Sequence, residues 1–179
     1  MTWRKYGERD GWTKLVHFLL GRLGMSLADD GDLIRGVGYV AIYSAYLEEI
    51  VDDLLFALDC LGEKEDDFAR RQPSSKIKEI KRRLEELGDS DFEELVDDLS
   101  VCDTLLSARH AVLHDRIYAQ ISGPAMYHPA RPERSKRPAS SIELYELANQ
   151  MQTCRARLMR PLVFAIPSAI SRRSSLKRE

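Results

Sequence analysis

Long apolar runs are missing from this chain. None approaches the roughly 18 residues that a membrane-spanning helix needs. The N-terminal stretch MTWRKYGERDGW is charged and aromatic, without the apolar centre of a signal peptide. Cysteine is scarce. Cys60, Cys102 and Cys154 are far apart and odd in number, which argues against a disulfide framework. Two of them sit in apolar helical patterns, so buried free thiols and a reducing, cytoplasmic setting are expected. An excess of one charge sign is also absent overall: the net charge is -2, so the molecule as a whole is not a polycation. No internal repeat stands out.

What is present suits a helical chain with a core. Of 179 residues, 44% are hydrophobic and 31% charged, and one domain is the default at this length. The distribution of charge says more than its sum. Residues 1–108 carry 14 Lys+Arg against 24 Asp+Glu, whereas residues 109–179 carry 13 against 5. The switch falls at Arg109. A basic second part fits a polyanionic partner, or a basic part that neutralises the acidic part within a dimer.

Hydrophobic spacing predicts about five helices. Residues 1–10 read as a loose arm. Trp12, Leu15, Val16, Leu19, Leu20 and Leu23 predict a short amphipathic helix over 11–24, and LADDGD then offers N-cap residues. The longest periodic run covers 32–61. Val37, Val40, Ala41, Ser44, Leu47, Val51, Leu54, Leu55 and Leu58 trace one face, and Tyr39, Tyr43, Tyr46 and Ile50 a second. Such a helix belongs at the centre, against its own domain and against a second subunit. Gly36 and Gly38 either admit a close neighbour or loosen the first turn. Glu48, Glu49, Asp52 and Asp53 interrupt the stripes, either as a solvated edge or because Glu48 or Glu49 faces and orients Arg109.

A third helix is predicted over 75–87, with Ile77, Ile80, Leu84 and Leu87 inward and Lys76, Lys78, Lys81, Arg82 and Arg83 outward. Ser90 and Glu93 form a capping-box pattern that opens a fourth helix, 91–119. Its core stripe is Phe92, Leu95, Leu99, Cys102, Leu106, Leu113 and Ile117. Beside it runs a polar row of Asp103, Ser107, His110, His114 and Tyr118, which points to a groove or interface. The prolines of 121–139 exclude helix there and leave a basic hairpin or loop. Arg131, Arg134, Lys136 and Arg137 in it are candidate RNA contacts. Ser140 and Glu143 open the fifth helix, 141–160, whose buried side includes Ile142, Met151, Cys154 and Leu158, and which Pro161 ends or kinks. The expected organisation is an arm with a short helix (1–29), a helical domain (30–160) and a C-terminal turn with a basic tail (161–179).

Chemistry concentrates at Arg109-His110-Ala111-Val112-Leu113-His114. Arginine holds a phosphate in two-point fashion, and histidine changes charge near neutral pH and passes a proton. A phosphate clamp beside a proton carrier is what metal-free RNA cleavage requires. Five residues apart, Arg109 and His114 point roughly 140° apart on a straight helix, so a composite site at a two-fold interface is expected. His110 and His114 also have metal-ligand spacing, but Ala111 stands where a zinc-protease signature has glutamate, and a third ligand would have to come from Asp103, His128 or an acid of the long helix. No metal and no cofactor is expected.

An arginine, a polar residue and a histidine four to six positions after the arginine resemble the hallmark of the HEPN superfamily (higher eukaryote and prokaryote nucleotide-binding domains). Arg109, His110 and His114 fit that pattern, as does the helical order over about residues 30–160. The resemblance implies an all-α bundle and a metal-independent endoribonuclease, often a toxin or antiviral effector, acting as a dimer and in some cases held by an antitoxin or regulatory protein. Carried over, it makes Arg109 and His114 catalytic, with His110 and Glu48 or Glu49 in support. A toxin branch has tyrosine two positions after the histidine. Here that residue is Arg116, and Tyr118 lies two further on, so assignment to that branch does not follow. The competing readings are a non-catalytic module of similar fold that binds RNA, a nucleotide or a protein, and a structural domain in which Arg109 forms an internal ion pair.

Overall fold

A computed structural model describes residues 27, 31–59, 71–118, 123–130, 135–169 and 172. These residues form a mainly α-helical bundle of four helices with a small antiparallel sheet. The helix expected over 11–24, Cys60, and most of the C-terminal tail lie outside the described residues.

Helix α1 runs Leu33–Asp59. Asp32 opens it: its carboxylate accepts the backbone N–H of Ile34 (2.9 Å) and of Arg35 (3.0 Å), as an N-cap residue does. The predicted apolar row is the buried row, from Val40 and Ser44 through Leu47, Val51 and Leu54 to Leu58, with Ile50 joining it. Tyr39 and Tyr43 are half-buried, and Tyr46 is exposed. Of the two glycines, Gly36 is the point of close approach. A Cβ there would lie 2.9 Å from Leu144 Cβ, whereas Gly38 faces open space.

Helix α2 spans Pro73–Leu87, with proline in its first turn and Gly88 closing it in the left-handed region (φ 62°). Ile77, Ile80 and Leu84 face inward as expected. The basic run is not uniformly outward, however. Lys76 is buried and pairs with Asp52 of α1, and Arg83 is largely covered by Asp59 and Glu79. Glu79 takes hydrogen bonds from Arg82 and Arg83, and the Arg82 bonds above all hold its carboxyl below the ordinary range. The cations of this helix serve to hold α2 against α1 as much as to meet solvent.

A 3-10 turn, Ser90–Phe92, leads into α3, Glu93–His114. The Ser90–Glu93 capping box does not form. Asp89 takes the role one residue earlier, accepting the Asp91 N–H at 3.1 Å, and Phe92 drops into the core. The helix also ends earlier than the expected 119. Asp115 is extended, and strand β1 (Arg116–Tyr118) pairs with β2 (Met126–His128), which pairs with β3 (Arg137–Pro138). Ile and Tyr favour a pleated surface, and pairing Ile117 with the buried Tyr127 offers them one. The hairpin option of the sequence reading is therefore the one adopted.

Helix α4, Ser141–Arg160, starts at the expected Ser140 cap, which accepts the Glu143 N–H. It packs mainly on α1 through Leu144, Tyr145, Ala148, Met151 and Leu158. Ile142, expected to be buried, is exposed, because it lies about 200° round the helix from Leu144. At Pro161 the helix widens into one π-type turn, Pro161–Ala165, and carries on to bury Ile166 and Ala169. The ring clash and the missing N–H are accommodated by the wider turn rather than by a break. Asn149 ties Leu27 to α4 through a pair of hydrogen bonds, Leu27 N–H to Oδ1 (2.8 Å) and Nδ2 to the Leu27 carbonyl (3.3 Å). No helix among the described residues is long and apolar enough to cross a membrane.

Candidate functional site: the C-terminal end of α3

The packing of α3 on α1 fixes which side chains meet at the site. Leu99, Cys102 and Leu106 are buried beside Leu47 and Val51 in one core. The same packing brings the acid edge of α1 to the end of α3. Of the two glutamates, Glu48 meets Arg109, with Oε1 3.1 Å from Nη1, and Glu49 stays exposed. Both partners keep solvent contact, Arg109 at 30% and Glu48 at 35% side-chain exposure. The guanidinium is therefore oriented without being sealed. Its Nε is buried and has no hydrogen-bond partner among the described residues. An arginine carries five N–H donors; the buried Nε is out of reach, and an incoming acceptor would meet the exposed part of the guanidinium that Glu48 leaves open.

His110, next to Arg109, and His114, a turn beyond it, are exposed, and their rings meet in a tilted contact, with centroids 4.2 Å apart and planes at 46°. They share a face because they are four residues apart. No hydrogen bond or ion pair among the described residues joins His114 to Arg109. Asp103, at the start of the polar row, is engaged by Ser74 of α2, whose hydroxyl donates to it at 2.6 Å. Among the described residues, no three His, Cys, Asp or Glu side chains gather as a metal-binding group.

The sheet continues the site. Tyr118 leaves the polar row because it sits on β1, not on α3. Its ring instead meets His128 of β2 in an edge-to-face contact, centroids 4.7 Å apart. Asp115 fixes the hairpin to the helix end by accepting the Ala130 N–H at 3.2 Å. Of the basic candidates, Lys136 is exposed. Arg137 is committed on two sides: it pairs with Glu143 and lies over the Tyr127 ring, 4.6 Å from its centroid. Arg131 and Arg134 lie outside the described residues. Burial pushes the Tyr127 hydroxyl upward in pKa, with the nearby Arg137 opposing.

Two features escaped the sequence reading. Arg155 of α4 lies over Tyr46 of α1, 4.8 Å from the ring centroid, and so covers part of the second aromatic face. That contact joins residues 109 positions apart, and nothing local signals it. At the other end of α3, a cavity of about 570 Å3 is lined by Asp98, Arg157, Arg160, Phe164 and Arg172 among others. Asp98 is nearly buried there. Burial raises its carboxyl pKa, and Arg157, 3.5 Å away, works against that rise. The two described cysteines are free and buried. The neighbouring Cys154 thiol together with burial pushes the Cys102 thiol far above its ordinary range, so it offers no thiolate for chemistry.

No protein-family model, curated protein or solved structure matches this chain.

Proposed function

We propose that the protein is a metal-independent endoribonuclease of HEPN type, with a composite active site at a homodimer interface. One observation carries the reading: a guanidinium anchored by Glu48 at 3.1 Å, in a side chain still 30% exposed, stands on the same helix end as two exposed imidazoles. In the proposed reaction Arg109 holds the scissile phosphate and balances the charge that builds on its oxygens as the phosphorane forms. His114 takes the proton of the RNA 2′-hydroxyl as its oxygen attacks phosphorus. The P–O5′ bond breaks, and the leaving oxygen receives a proton from a second imidazole. The products are a 2′,3′-cyclic phosphate and a 5′-hydroxyl. RNA brings its own nucleophile, so no serine or cysteine of the chain is consumed.

Two-fold pairing supplies what one protomer does not. Within a chain no hydrogen bond or ion pair among the described residues joins Arg109 to His114, and a second α3 brought against the first would let the guanidinium of one protomer and the imidazole of the other share a phosphate. On this reading the enzyme works on cytoplasmic RNA as a toxin or antiviral effector and needs no cofactor. Labelled RNA incubated in EDTA provides the test. Wild type is expected to cleave, and His114→Ala to lose about 100-fold or more in rate, as removal of a general acid–base does, while melting unchanged. RNA left intact by the wild type would sink the proposal.

The Arg109–Glu48 ion pair also favours a second reading, a non-catalytic module of the same fold that binds RNA, a nucleotide or a protein, with the pair as a structural brace. On that reading RNA binding survives His114→Ala and no cleavage is found.

A further inference from the structure

Strand register sorts the sheet into two faces. Opposite residues of an antiparallel pair lie on one face, and neighbours along a strand alternate. Ile117 pairs with Tyr127 and turns to the core. Arg116 pairs with His128 and Tyr118 with Met126, so Arg116, Tyr118, Met126 and His128 share the other face. On that face Arg116 is exposed, Tyr118 is 46% exposed, and His128 stands edge-on to the Tyr118 ring. Tyr118 is therefore braced by an aromatic neighbour while nearly half of its surface stays open to water. Asp115 anchors the sheet to the end of α3, and Arg116 follows His114 by two residues, within about 7 Å along the chain.

From this arrangement we infer that the outer face of the sheet is a stacking platform for an unpaired base, which makes the ligand of the site single-stranded RNA. The inference rests on the proposed reading of Arg109 and His114 as a site for an RNA backbone. An aromatic ring accepts any base on its π-face, and a cation beside it neutralises the flanking phosphate. Tyr118 supplies the ring, His128 fixes its plane, and Arg116 supplies the charge. A duplex keeps its bases stacked on one another and has none to offer such a surface, so the platform selects loops and single strands. It also sets position: a base seated on Tyr118, four residues from His114 in the chain, places the adjoining phosphate toward that imidazole.

Binding, rather than cleavage, tests the platform. The full chain carrying His114→Ala is titrated with a short, unstructured, labelled RNA strand, and separately with the same strand annealed to its complement, by fluorescence anisotropy. Tyr118→Ala and His128→Ala in that background are each expected to weaken single-strand binding about tenfold and to leave duplex binding unchanged. Tyr118→Trp should bind like the parent, because the indole keeps the stacking face, and this controls for damage to the sheet. Arg116→Ala should weaken both RNAs and lower the salt dependence of binding by about one phosphate contact. Equal single-strand affinity in the parent, Tyr118→Ala and His128→Ala proteins overturns the platform, and so does an equal loss on duplex. Cleavage by wild type together with that result leaves the ribonuclease reading standing. Ring-dependent binding by a wild-type protein that cleaves nothing retains the platform and removes the ribonuclease. No RNA binding by the parent overturns both.

Discussion

Along α3, Leu95, Leu99 and Cys102 are at most 1% exposed, while Arg109, His110 and His114, at the C-terminal end of the same helix, all meet solvent. The first part of the helix is held by α1, α2 and α4. The last part keeps Val112 in the core, and its polar side chains are positioned by the Arg109–Glu48 ion pair, the His110–His114 ring contact and the Asp115 tie to the hairpin. Apolar burial fixes where the helix lies, and the polar end uses that rigidity to aim side chains that contribute little to folding themselves. A change in the first part should therefore be read in stability, and a change in the second part in activity.

The sharpest way to break that comparison is to change both parts and measure both properties. Leu99→Ala should cost about 2–5 kcal/mol in denaturant unfolding, as buried leucines do, and below its melting temperature it should still cleave RNA. Arg109→Ala should do the reverse: about 100-fold or more slower cleavage, with stability within about 1 kcal/mol of wild type because its ion pair is partly exposed. If Arg109→Ala melts as Leu99→Ala does, Arg109 is a brace and the distinction fails. Glu48→Gln tests the anchoring alone. Losing the charge but keeping the hydrogen-bonding shape should slow cleavage by no more than about fivefold, seen in kcat with RNA binding retained.

The smallest expected effect belongs to Asp98, at the buried end. Its native pKa is raised, chiefly by burial, so the folded protein holds this proton to higher pH than the unfolded chain does. Stability contributed by the protonated form is present in acid and falls as pH rises through the raised native value. Measured against Asp98→Asn, the wild type should lose relative stability across that acidic window and then stay level. A gain with rising pH would reverse the assignment.

Much of the bundle was legible because burial repeats with the helical period. The row from Val40 to Leu58 and the start of α4 at Ser140 follow from spacing and a capping residue. The end of α3 was not, since Leu113 and Ile117 continue the apolar pattern of the helix, and only the distant partner Tyr127 draws Ile117 into a strand. The Ser90 cap failed for a similar reason: Asp89, one residue earlier, competes for the same role. At the site, Arg109, His110 and His114 could be picked from the sequence because they are close in the chain. The choice of Glu48 over Glu49 could not, because helix rotation decides it. The Tyr118–His128 contact depends on the register of two strands, which no local spacing signals.

Gly36 carries one more consequence. Leucine-lined helices fit together in more than one alignment, because one leucine fills a gap much as another does. The notch at Gly36 accepts Leu144 with no room for a Cβ. Sliding α4 by one turn would set that leucine against Val40 and force the helices apart. A missing methyl group thus fixes the alignment of the two helices that share the widest contact, and with it the position of every side chain that α1 presents to the rest of the molecule.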